Sequence, residues 1–85
     1  MYQVLYTKQA KRALLKLPHS VAQNIREKLT TIAQEPYSRH HNVTKLQNRP
    51  GYRLRVGDWR VIYDVDNGKL IILVLKIASR GEVYR

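Results

Sequence analysis

Tyr2, Val4 and Tyr6 alternate with Gln3 and Leu5 in a short run rich in β-forming residues, which predicts an opening strand. Directly afterwards the period changes. Thr7 stands as an N-cap, and from Lys8 onward Ala10, Ala13, Leu14 and Leu17 recur at three- and four-residue spacing. This predicts a short amphipathic helix whose outer face is basic, with Lys8, Lys11, Arg12 and Lys16. Pro18 closes that helix and opens a second, in which Val21, Ala22, Ile25, Leu29, Ile32 and Ala33 mark one face until Pro36 ends the pattern. A helical hairpin is therefore expected.

The stretch from Pro36 to Pro50 has neither period and carries Ser38, Arg39, His40, His41, Asn42, Lys45 and Arg49, so it reads as a polar, basic loop. Beyond it the period is two. Tyr52, Leu54 and Val56 alternate with Arg53 and Arg55, and Trp59, Val61, Tyr63 and Val65 alternate with Arg60, Ile62 and Asp64. Gly57-Asp58 joins these strands as a two-residue hairpin loop, and Asn67-Gly68 predicts a type I′ turn into a last strand from Lys69 to Ile77. The expected fold is α+β: an N-terminal strand, a helical hairpin and a three-stranded antiparallel meander (β-α-α-β-β-β), with the helices on one sheet face and residues 1–85 forming a single domain.

A chain of 85 residues builds one modest core, and without cysteine neither disulfides nor thiolate metal sites reinforce it. The longest apolar run, Leu70 to Leu75, is far shorter than a membrane span, and the N-terminus lacks a basic-then-apolar secretion pattern. A soluble, cytoplasmic protein with no membrane partner is expected. Sixteen Lys and Arg against six acids give a net charge of +10, a balance that points to a polyanion, either nucleic acid or an acidic protein.

The hairpin concentrates that charge. A loop limited to Gly57-Asp58 sets Val56 opposite Trp59, Arg55 opposite Arg60, Leu54 opposite Val61 and Tyr52 opposite Tyr63. One face is then apolar, while the other gathers Arg53, Arg55 and Arg60. Like charges directly across a ladder repel, and guanidinium forks match phosphate, so this cluster suits an RNA backbone. A solvated, solubilising face is the bland alternative. On the last strand Ile71, Leu73, Leu75 and Ile77 are read as outward-facing and apolar, which calls for a cover over part of that face. Arg80 and Tyr84, just beyond, can reach it as a phosphate contact and as a base-stacking or proton-exchanging group, although a terminal tyrosine more often packs on the sheet rim.

The run from Tyr52 to Tyr63, YRLRVGDWRVIY, and the ending Arg80-Gly81-Glu82-Val83-Tyr84 resemble the RelE/ParE superfamily of toxins from type II toxin–antitoxin systems; Lys45-Leu46 fits as well. The resemblance runs over essentially the full chain and is closest to the RelE-like members. It implies an endoribonuclease that enters the ribosomal A site, cleaves mRNA, inhibits translation and is neutralised by an acidic antitoxin in a hetero-oligomer. Carried over, the catalytic residues are Arg55, Arg60, Arg80 and Tyr84, and RNA is bound by Lys45, Arg53 and Arg55. No cofactor or metal is implied, in keeping with acids (Glu27, Glu35, Asp58, Asp64, Asp66, Glu82) scattered along the chain.

The chain departs from the best-studied pattern in having arginine at both first-strand positions where lysines are usual. Arginine is a poor general base. Lys45, Tyr84, His40 and His41 stand as alternative proton acceptors, the paired histidines being of a kind more often found as simple surface residues. Two other functions share the fold and the charge: a ParE-like inhibitor of DNA gyrase, and a non-catalytic binder of RNA or ribosome.

Overall fold

The computed structural model of the protein describes residues 1–81. In chain order it contains β1 (Gln3–Tyr6), α1 (Lys8–Lys16), α2 (His19–Gln34), β2 (Val43–Lys45), β3 (Tyr52–Val56), β4 (Trp59–Asp66) and β5 (Ile71–Ser79). The strands form one sheet of order β1-β5-β4-β3-β2. Thr7 caps α1, its hydroxyl accepting the Ala10 N–H at 3.2 Å. At the start of α2 the Pro18 carbonyl accepts the Val21 and Ala22 N–H groups, both at 3.0 Å.

Both helices lie on one sheet face. Ala10 and Leu14 from α1, Leu17 at its C-cap, and Ile25, Leu29 and Ile32 from α2 meet Leu54, Val61, Tyr63, Ile72, Val74 and Ile77 in one core. Truncating Leu29, fully buried there, should cost roughly 2–5 kcal/mol. Tyr63 stacks on Tyr52 with centroids 5.4 Å apart. Its hydroxyl is buried with no hydrogen-bond partner among the described residues. Burial first, and then Tyr52, push that phenol's pKa up.

The sheet is mixed, which the meander expectation did not contain. β1 runs parallel to β5, with Gln3 beside Ile71 and Tyr6 beside Val74. Within the supposed loop from Pro36 to Pro50, Val43–Lys45 forms the edge strand β2, antiparallel to β3. Three polar-flanked residues are too few to show a period of two, so only pairing with β3 reveals the strand. The β4–β5 connection also differs from a two-residue type I′ turn: β4 ends at Asp66 and β5 begins at Ile71, with Leu70 rather than Gly68 at positive φ (+55°). Asp66 Oδ1 accepts the Lys69 N–H at 3.1 Å, and the Tyr2 hydroxyl donates to Asn67 Oδ1 at 2.6 Å. Those bonds favour the wider loop over a tight turn.

A second correction concerns β5. Val61 pairs with Ile77 and Ile62 with Lys76, but Tyr63 pairs with Val74, so Leu75 is an extra, bulged residue. The alternation reverses there. Ile72 and Val74 face the helices before the bulge; after it Ile77 does, 1% exposed, and is not outward as the unbroken period implied. Side chains at the N-cap and first turn of α1 stabilise the reversal where β1 stops. Thr7 Oγ1 donates to the Leu75 carbonyl at 2.8 Å, and the Gln9 amide pairs with both Ile77 N–H (3.1 Å) and Ile77 C=O (3.2 Å). Gln9 thus replaces a missing strand at the sheet edge.

Candidate nucleic-acid interface

The face of the sheet away from the helices carries the alternate residues of the central strands. Arg53 and Arg55 come from β3 and Arg60 from β4, with Arg55 and Arg60 directly paired across the ladder. Gly57, at φ +58°, turns the chain in two residues, while Asp58 stays at negative φ as in a type II′ turn. The bulge at Leu75 sends Ala78 to this outer face, where it packs against Ile62 and Leu46. Arg80 follows two residues later, its N–H held by the Asp58 carbonyl at 2.8 Å. Together Arg53, Arg55, Arg60 and Arg80 line a cleft of about 480 Å³, completed by Asn42 and Thr44.

Neutral acceptors hold the guanidiniums of Arg55 and Arg60 without cancelling their charge. Arg60 Nη1 donates to the carbonyls of Gly57 (2.9 Å) and Trp59 (3.0 Å). Asn42 binds Arg55 twice: Oδ1 accepts Nη2 at 3.0 Å, and its carbonyl accepts the Arg55 N–H at 2.9 Å. Asn42 adopts φ +63°, a left-handed conformation that asparagine tolerates. Burial first, then Arg55, Arg80 and Arg53, lower the Arg60 pKa, with Asp58 opposing. An arginine remains charged at neutral pH, so the cluster stores repulsion that an entering anion relieves. Each guanidinium offers a planar fork to phosphate oxygens.

Of the residues singled out by sequence, Arg53, Arg55, Arg60 and Arg80 are brought together. Lys45 is not in this cleft: its Nζ lies 5.4 Å from the Tyr52 ring centre, and it borders a neighbouring depression with Gln47 and Arg49. His40 and His41 line a different depression beside Lys28 and Thr31 of α2, with His40 Nε2 2.6 Å from the Glu35 carbonyl. Tyr84 lies outside the described residues. Sequence reasoning missed Asn42 and Thr44 as cleft residues. Their signal was faint, an asparagine before a polar-apolar alternation only three residues long.

The profile of a family described as ParE toxin of type II toxin–antitoxin system, parDE, matches residues 4–84. No curated protein sequence gives a significant match. Among solved structures, archaeal RelE in its complex with RelB from Pyrococcus horikoshii is 35% identical with a TM-score of 0.80, covering 96% of this chain and 98% of that one. A mutant E. coli RelE in complex with a peptide of the antitoxin RelB is 26% identical with a TM-score of 0.77 (98% and 90% covered). Isolated E. coli RelE, at 24% identity, shares the fold with a TM-score of 0.82 (99% and 92% covered). With a profile spanning nearly every residue and an archaeal relative matched along its length, this chain belongs to the ParE toxin family of type II toxin–antitoxin systems, within the RelE/ParE superfamily.

Proposed function

We propose that this toxin is a ribosome-dependent endoribonuclease that cuts mRNA in the A site and is held inactive by an acidic antitoxin. The observation that carries the reading is the cleft of four arginines, with neutral acceptors behind Arg55 and Arg60. In the proposed reaction the 2′-oxygen of one nucleotide attacks its own 3′-phosphate. The new P–O2′ bond forms as the P–O5′ bond breaks, the 2′ proton leaves to an acceptor, and the departing 5′-oxygen gains a proton. Arg60 and Arg80 stabilise charge on the pentacoordinate phosphorus, while Arg53 and Arg55 grip the flanking backbone. The cleft side chains are guanidiniums, a carboxamide and a hydroxyl, none of which is an efficient general base. Tyr84 is carried over from the family resemblance as the group that orients or exchanges the proton, with the ribosome supplying substrate geometry worth several powers of ten.

The antitoxin reading has two supports. The net charge of +10 favours an acidic partner, and Leu5, Ile71 and Leu73 sit on adjacent strands with Leu5 37% exposed. RelE is bound to RelB in the Pyrococcus structure, and the pairing is carried to this chain as part of the proposal.

The test is to map mRNA ends in a purified translation reaction with wild-type protein, Arg80→Ala and Arg53→Ala, and with naked mRNA. Cuts within A-site codons that need ribosomes and fall at least about 100-fold with Arg80→Ala are expected, the scale of removing one charge-stabilising donor. Intact mRNA would reject the nuclease. Because the matching profile is that of ParE toxins, a DNA gyrase supercoiling assay runs beside it, and inhibition there with mRNA left intact would establish the other reading.

A further inference from the structure

Beside the arginine cleft lies a second depression of about 330 Å³, lined by Thr44, Lys45, Leu46, Gln47, Arg49 and Arg53. It shares Thr44 and Arg53 with the cleft, so the two are continuous along the outer face of β2 and β3. Its wall is the turn between those strands, and that turn is built rather than loose. Leu46 folds back over the sheet onto Ile62 and Ala78, and its N–H is bonded to the Gly51 carbonyl at 3.0 Å. Asn48 stands at φ +62° and Gly51 at φ +112°. A β-carbon on Gly51 would come within 3.0 Å of the Tyr63 carbonyl oxygen, so the turn is seated directly against β4. Solubility alone does not require so tightly seated a polar turn.

The chemistry of the lining is that of a nucleotide site. Arg49 and Arg53 supply cations for a phosphate, whereas the Lys45 ammonium is turned onto the Tyr52 ring on the other side of the sheet. Gln47 offers one acceptor and two donors, the set that pairs with the edge of an unstacked base. We propose that this depression is a subsite for the nucleotide next to the scissile phosphate, with Gln47 reading its base edge and Arg49 and Arg53 holding its phosphate. The inference rests on the nuclease reading. It makes the turn from Leu46 to Gly51 the determinant of which sequences are cut, separate from the arginines that act on the phosphorus.

The experiment maps cut sites on a ribosome-bound mRNA library for wild type, Gln47→Ala and Arg49→Ala, with Lys8→Ala on α1 as the control for charge loss away from the cleft. Gln47 and Arg49 are exposed, so both variants should melt as wild type does. Gln47→Ala is expected to flatten the base preference at one position flanking the cut by about tenfold, the discrimination typical of a paired base edge. Arg49→Ala is expected to raise KM about fivefold at ~0.1 M salt and to make its logarithmic salt dependence shallower by about 0.7, with kcat little changed. Wild-type cut profiles and KM in both variants would overturn the subsite while leaving the nuclease standing, as would an effect of Lys8→Ala equal to that of Arg49→Ala. Failure of the wild-type protein to cut at all would overturn both.

Discussion

Replacing Asn42 by aspartate exchanges a neutral acceptor for a carboxylate 3.0 Å from the Arg55 guanidinium, with little change in shape. If the cleft binds RNA through the charge of its arginines, the substitution cancels about one cation in it. For single-stranded nucleic acid each neutralised phosphate contributes roughly 0.7 to the slope of log affinity against log salt. Asn42→Asp should therefore bind a short single-stranded RNA with a slope shallower by about 0.7, about fivefold more weakly at ~0.1 M salt, converging on wild type near ~1 M. Asn42→Gly is the companion variant. Glycine keeps the φ of +63° at no steric cost and retains the carbonyl bond to the Arg55 N–H, so only the side-chain anchor is lost. All charges remain and the slope should stay unchanged, while looser placement of Arg55 lowers kcat/KM about fivefold, the equivalent of one exposed charge-assisted bond near 1 kcal/mol. Fluorescence anisotropy across a salt series reads the slopes, and ribosome-programmed cleavage reads the turnover. A wild-type slope for Asn42→Asp, or a slope for Asn42→Gly as shallow as the aspartate's, would refute the view that Asn42 holds Arg55 while preserving its charge.

Tyr63→Phe removes a buried hydroxyl that has no partner among the described residues and should raise stability by about 1 kcal/mol, or roughly 4–8 °C in Tm; a fall of several degrees by calorimetry would reveal a partner for the hydroxyl. Because burial raises the Tyr63 pKa, the folded chain keeps that proton to higher pH than the unfolded chain does. The associated stability is complete below about pH 10 and declines as pH climbs beyond it, so urea unfolding above about pH 10 should lose less stability per pH unit in Tyr63→Phe than in wild type. Gly51→Ala forces a β-carbon to 3.0 Å from the Tyr63 carbonyl at a φ of +112°, and should cost about 1–3 kcal/mol in chemical denaturation; an unchanged midpoint would mean that the turn gives way freely. Gln9→Leu strips both bonds from the Ile77 backbone and should destabilise by about 1–3 kcal/mol, with faster hydrogen exchange at Ile77 as the local reporter and unaltered exchange there as the contrary result.

The hairpin is legible in the sequence alone. A two-residue loop at Gly57-Asp58 leaves one register for the flanking alternation, so the pairs from Val56–Trp59 to Tyr52–Tyr63 follow from neighbours a few residues apart. The two helices followed in the same way from their 3.6-residue period, and the Thr7 cap from its place before that period begins. The sequence by itself thus determined that Arg53, Arg55 and Arg60 share a face. It did not determine that Arg80 joins them. An unbroken alternation along β5 exposes Ile77 and turns Arg80 toward the helices; the bulge at Leu75 reverses both. That bulge depends on Thr7 and Gln9 binding backbone groups 68 residues further along the chain, after β1 has run out beside β5. Asn42 meets Arg55 only because β2 pairs with β3, and Leu46 covers Ile62 and Ala78 only because Gly51 lets the turn sit against β4. Periodicity records which side of its own strand a residue occupies. Where two strands fall out of step is decided by which distant groups satisfy the freed backbone donors and acceptors, and only the assembled sheet brings those groups within reach.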